Sequence, residues 1–313
     1  MKKVLLKIFF LTGFALTFLP AQSSAKELWL KDIPVKKLQE LYKECAYDGM
    51  KGYLMLPSRQ YPAIFLKNFP KDYTSITDEQ ERNALFIKIL APLALKFNKD
   101  ILADRQKIEN LHKEFSEKGS LSAKETAFIE KIAEKYDLFS RLKDKERISY
   151  LLDELLNRVD AIPPSVMITA AAIETNWGTS RIVKEGNALY KEIVWHTTEG
   201  LEPIGETEDK TYRIKIFKDI YASLQSFALK LNSQPAFDSF RNVRRLLRER
   251  SPHPSGLILG PYLYGNYQLK NYAGMFDYTL AYYELLEIDK SSLADNMVSA
   301  EIQKDFQNYV TKM

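Results

Sequence analysis

Pro163-Pro-Ser-Val-Met-Ile-Thr-Ala-Ala-Ala-Ile-Glu-Thr-Asn-Trp-Gly-Thr-Ser180 carries both ends of a helix and one charged group inside it. Proline suits the first helical turn, where its missing N–H is no loss. The run from Val166 to Asn176 is predicted helical, ending before Trp177-Gly178 with glycine as the C-cap. Residues three, four and seven positions before Glu174 are Ala171, Ala170 and Met167, so its carboxylate continues an apolar stripe. Burying an ionised glutamate is costly, and desolvation raises its proton affinity towards neutral pH. A general acid at a glycosidic oxygen needs that property. The alanines are expected to leave room for a substrate to reach the carboxyl group. Position alone also allows a structural glutamate, bonded at a helix end or paired with Arg181.

Upstream, Pro34, Pro57, Pro62 and Pro70 break up the segment from Lys26 to about Asp72. Thr77-Asp-Glu-Gln80 reads as a capping box opening a helix through Phe86, Leu90, Leu93, Phe97 and Ile101, which Pro92 should kink or split. Ser122-Ala-Lys-Glu125 opens a second helix, and a third is predicted from about Asp144 to Arg158. These three are expected to pack as a helical bundle. Downstream, Thr211–Phe217 alternates polar and apolar residues like a half-buried strand. Gly200 to Asp209 should supply its partner strand and turn. Helix resumes at Ser223 and from about Tyr272 to Leu286.

The N-terminus points to export. Lys2, Lys3 and Lys7 precede an apolar run from Ile8 to Leu19 and the small-residue stretch Ala21–Ala25, the order of a cleavable signal peptide. That run is short for a bilayer span and no second one follows, so no transmembrane segment is expected after cleavage. Loss of the three lysines lowers the formal charge from +4 to +1. No basic stripe stands out, which argues against nucleic acid as a partner. Cys45 is the single cysteine, so no intrachain disulfide is available and packing must stabilise the fold. The chain has no His-Glu-x-x-His motif, no Gly-x-Ser-x-Gly elbow and no Gly-rich phosphate loop. His112, His196 and His253 lack ligand spacing, and neither metal nor cofactor is implied.

The segment Pro164–Ser180 resembles the glucosaminidases of glycoside hydrolase family 73. Asn187-Ala-Leu-Tyr190 is similar to that family's Asn-x-Leu-Phe segment. Phe217–Phe227, with Leu231-Asn232 and Pro235-Ala-Phe237, is similar to its strand-to-helix passage. Arg82–Gln106, with Leu90-Ala-Pro-Leu93 and Asn98, resembles the bacterial Bax-like branch. Lys191 stands where family members usually have glycine, so the loop beside the site is expected to differ.

The resemblance implies a lysozyme-like catalytic core, with the glutamate of the Glu-x-x-Trp-Gly motif, Glu174, as the acid. An inverting mechanism needs a second carboxylate roughly 6.5–9.5 Å away. The family places it on a downstream hairpin. Glu199, Glu202, Glu206 and Glu208 are the candidates, and the family register favours Glu206. Without a hairpin glutamate the substrate's acetamido group would assist instead. Trp177, Tyr190, Tyr264 and Tyr267 are the candidate sugar-binding rings, with Tyr262 and Tyr272 in the same tyrosine-rich stretch; each could equally be a packing residue.

The expected fold is mainly α (α+β), a lysozyme-like helical core with a small β-hairpin. Its predicted parts are a signal peptide (1–25), an N-terminal helical region (26–150), a glucosaminidase domain (151–290) and a polar C-terminal tail (291–313). The expected activity is cleavage of peptidoglycan glycan strands after N-acetylglucosamine, in the periplasm or outside the cell. A lytic transglycosylase or muramidase, or a non-catalytic peptidoglycan-binding protein of the same fold, are the other readings.

Overall fold

The computed structural model describes residues 27–49, 51–54, 56, 59–196, 198–204, 211–265, 269–294 and 297–313. The expected signal peptide lies outside them. In chain order the elements are β1 (Leu28–Leu30), α1 (Val35–Glu44), β2 (Gln60–Tyr61), β3 (Ile64–Leu66), α2 (Glu79–Lys118), α3 (Ala123–Lys135), α4 (Asp144–Arg158), α5 (Pro164–Thr175), α6 (Arg181–Gly186), β4 (Ile193–Trp195), β5 (Tyr212–Ile214), α7 (Ile220–Ser233), α8 (Asp238–Arg248), α9 (Gly256–Leu259), α10 (Pro261–Tyr264), α11 (Tyr272–Tyr282), β6 (Ser292–Leu293) and α12 (Ala300–Asp305). The fold is mainly α with short strands, as predicted. Among the described residues no helix is long and apolar enough to cross a membrane.

The spine is α2, 40 residues long. Its cap is Asp78, one residue beyond the expected Thr77, and the Asp78 side chain accepts from the Glu81 N–H at 2.8 Å. Pro92 does not split the helix. Its ring removes the N–H that would bond the Lys88 carbonyl. That carbonyl instead accepts from the Tyr47 hydroxyl at 3.2 Å and, more weakly, from Tyr42 at 3.5 Å. Two buried tyrosines thus satisfy what proline vacates.

The first half of α2 is buried almost all round, and its second half buries one stripe at Ile101, Ile108 and Leu111. The two halves serve two cores. The second half packs with α3 and α4 in a satellite bundle through Ile129, Leu151, Leu152 and Leu155. The Ser122–Glu125 capping box and the boundaries of α4 match expectation. The first half joins β1, α1, β3, α5, α7 and α11 in the main core.

The main core therefore draws on both sides of the expected division between residues 150 and 151. The C-terminal segment, residues 291–313, is tied to the N-terminal strands. β6 pairs with β2, and the Thr311 N–H donates to the Trp29 carbonyl at 2.9 Å. Cys45 is buried and unpaired, its thiol pushed up to about 11 by desolvation.

Candidate active site

α5 is apolar on every side and enclosed accordingly, against α2, α11 and the 3-10 turn at 285–290. Ala170, Ala171 and Ala172 are fully buried. Their small side chains let neighbouring helices approach closely; the expectation that they open a path for substrate is corrected. Pro164 occupies the first turn as predicted, but the C-cap is Asn176, not the glycine.

Three consecutive residues then take left-handed backbone: Asn176 (φ 47°), Trp177 (φ 56°) and Gly178 (φ 76°). Such a run costs energy and needs holding. The Trp177 N–H donates to the Ala172 carbonyl at 2.8 Å, and the Trp177 carbonyl accepts from the Tyr73 hydroxyl at 2.9 Å. The Thr175 hydroxyl donates to Ala171 O at 2.6 Å and accepts from the Gly178 N–H at 2.9 Å. A Cβ on Gly178 would lie 3.1 Å from both Phe69 and Phe86. Glycine is there for conformation and for space together.

This turn presents Glu174, half-buried, at the last turn of α5. Its Oε2 accepts from the backbone N–H of Lys191 at 2.8 Å, and Oε1 is shielded from solvent. Arg181 bonds Glu185 at 3.0 Å and the Glu202 carbonyl. Lys191, where the family usually has glycine, does not take a left-handed φ. The position uses only its main-chain N–H, which any residue but proline supplies.

Two residues beyond Lys191 the chain enters β4, antiparallel to β5 with Ile193 opposite Ile214 and Trp195 opposite Tyr212. The expected strand at Thr211–Phe217 is present over Tyr212–Ile214, and among the described residues its strand partner is Ile193–Trp195. Of the expected partner stretch Gly200–Asp209, residues 205–209 lie outside the described residues, and Leu201 bridges to Ile214. Of the four hairpin glutamates, Glu199 is exposed and Glu202 pairs with Arg213 at 2.5 Å. Glu206 and Glu208 lie outside the described residues, as does Tyr267.

Two of the expected sugar-binding rings have packing partners. Tyr190 is 2% exposed, its ring stacked on Phe227 at 3.8 Å, and its hydroxyl donates to the Met167 carbonyl at 3.0 Å. Burial, and after it the Glu174 carboxylate, hold the phenol well above its ordinary range, so it remains a neutral donor. Trp177 is half-buried and packs against Phe86 and Tyr283. Both rings pack beside the helix that carries Glu174. Tyr264 is half-buried against Tyr272 and Phe276, with its hydroxyl on Asp277 at 2.5 Å.

The opposite end of α5 holds carboxylates that sequence reasoning missed. Asp289 accepts from the Ser165 N–H (2.9 Å), the Ser165 hydroxyl (2.8 Å) and the Gly256 N–H (2.9 Å). Burial pushes its carboxyl up to about 6 despite those donors. A Cβ on Gly256 would fall 2.0 Å from the Ser165 hydroxyl, so only glycine allows this approach. Just upstream, Asn98 forms two hydrogen bonds with the backbone of Ile162 (2.8 and 3.0 Å). Asp160 gathers Arg105, Arg244 and Arg248, and burial pulls the Arg244 guanidinium down to about 10. Among the described residues no group of His, Cys, Asp or Glu is placed to hold a metal ion.

Residues 151–311 match the family described as mannosyl-glycoprotein endo-beta-N-acetylglucosaminidase. The chain belongs to the glucosaminidase family. It is also 28% identical over 172 residues to the protein bax of Escherichia coli strain K12, a match covering 54% of this chain and 57% of that relative. The chain thus matches a little over half the length of this curated relative. No solved structure matches it. Glucosaminidase membership implies glycoside hydrolase chemistry. The matched region starts inside α4 and holds Glu174, the hairpin and Asp289. β1, α1 and α2 lie outside it yet complete its core.

Proposed function

We propose that this chain is an exported peptidoglycan hydrolase that cuts the β-1,4 bond after N-acetylglucosamine in the cell envelope. The observation that carries it is the placing of Glu174. A single carboxyl group sits at the end of a buried helix, one oxygen fixed by a backbone N–H and the other out of bulk water. Glu174 gives its proton to the glycosidic oxygen as the C–O bond breaks. Glu206 takes a proton from the attacking water on the opposite side of the ring. Glu202 is less suited to that task because Arg213 already pairs with it.

The test is digestion of purified murein sacculi. Glu174→Gln should slow release of soluble fragments by about 10²–10⁴-fold, the usual share of a general acid. Mass spectrometry of the native protein's products should find N-acetylglucosamine at the reducing end. A 1,6-anhydro-muramic end would make the chain a lytic transglycosylase. Binding without release, unchanged by Glu174→Gln, would make it a wall-binding protein.

A further inference from the structure

The chain has three tryptophans, and the fold treats them differently. Trp29 is 4% exposed, in the main core, and Trp177 is half-buried behind the acid. Trp195, at the end of β4, is 60% exposed. A large indole left in water forgoes the burial that usually rewards it. The Tyr212 ring lies across the strand from it, 5.3 Å away and tilted by 58°. Alternation along the hairpin puts Ile193, Trp195, Tyr212 and Ile214 on one face. Residues of the opposite side are tied inward, with Glu192 on Ser226 and Lys215. At the root of the aromatic face Ile214 is covered, whereas Ile193 and Trp195 stay open.

The same strand runs directly from the acid. Lys191, whose N–H holds Glu174, precedes Trp195 by four residues, an extended reach of about 13 Å at most. A β-1,4-linked amino sugar presents axial C–H bonds on its ring faces, which complement an aromatic plane, while its hydroxyls stay in water. We propose that Trp195, backed by Tyr212, is a stacking platform for an N-acetylhexosamine ring of the glycan strand, away from the cleaved bond. This rests on the glycan substrate class proposed above.

The experiment uses the full chain carrying Glu174→Gln, so that binding is read without cleavage. The probes are β-1,4-linked N-acetylglucosamine hexamer and intact murein sacculi. The hexamer should shift the tryptophan fluorescence, because one of the three indoles is open to it. Adding Trp195→Ala should abolish the shift and weaken binding about tenfold, while Trp195→Phe keeps most of the affinity. Unchanged melting of both variants establishes that the loss is local. Binding within twofold of the parent after Trp195→Ala overturns the proposal. So does a change in sedimentation without a change in glycan affinity, which would assign the face to a second copy of the chain. Cleavage that survives Glu174→Gln would defeat the proposed acid without touching the platform, and the two failures are read separately.

Discussion

At its first turn α5 meets Asp289, and at its last turn, about 14 Å further on, it carries Glu174. Both are carboxylates beside buried helix, yet their surroundings differ in kind. Asp289 is enclosed, with three donors converging on it from Ser165 and Gly256. Glu174 is half-buried, held by the Lys191 main-chain N–H, and followed by a left-handed turn in place of regular structure. The entry end of the helix is clamped by Asn98, Asp160 and Asp289, and the exit end is shaped to present a group outward. A rigid anchor at one end of a short helix and a presented carboxyl group at the other suit the general-acid role proposed for Glu174.

The contrast can be broken most directly by exchanging roles. Glu174→Gln should remove about 10²–10⁴-fold of sacculus digestion while leaving the urea unfolding midpoint within about 1 kcal/mol of the parent. Asp289→Ala should do the reverse. It strands a buried hydroxyl and two N–H groups, and should lower stability by about 3 kcal/mol in the same urea titration. If Glu174→Gln destabilises the fold more than Asp289→Ala, the distinction between anchor and acid is lost.

Titration sharpens it. Asp289 binds its proton more tightly folded, near 6, than its ordinary value of 3.8, so its ionisation opposes folding. The native state binds more protons between those values, and stability from this group falls as pH rises from about 4 to 6. The stability of the parent relative to Asp289→Asn should therefore decline between pH 4 and 7, by up to about 3 kcal/mol. A difference that stays flat with pH contradicts the assignment.

Gly178→Ala tests the exit turn. It combines a left-handed φ with a Cβ crowded by Phe69 and Phe86, and should cost about 2 kcal/mol and slow digestion as Glu174 shifts. The smallest effect is expected from Tyr190→Phe. Losing the bond to the Met167 carbonyl should lower the unfolding free energy by about 1 kcal/mol. Retention of catalysis there would separate this packing ring from the rings that bind sugar.

Several of these features were legible in the chain beforehand. Pro164 and the apolar run predict α5 within two residues, Ser122–Glu125 predicts the cap of α3, and the Trp-Gly pair marks where the helix must stop. Local rules sufficed because caps and periodicity act over three or four residues. Trp177 and Tyr190 were misplaced for the complementary reason. Aromatic character says that a ring has a face, and only packing decides whether Phe86, Tyr283 or Phe227 already covers it. The Lys191 N–H left no sequence signal because every residue but proline has one. Pro92 misled because the tyrosines that take up its freed carbonyl lie 41 and 46 residues away.

By itself the sequence determined the family, the mainly helical fold and the glutamate at the end of an apolar helix, since these follow from residue type and short-range spacing. The tertiary structure alone decided that β1, α1 and the first half of α2 share a core with the matched region. It also decided that Asp289, 124 residues from Ser165, anchors α5, and which tryptophan stays open. Those outcomes depend on which distant surfaces exclude water from each other, and no local pattern encodes that choice.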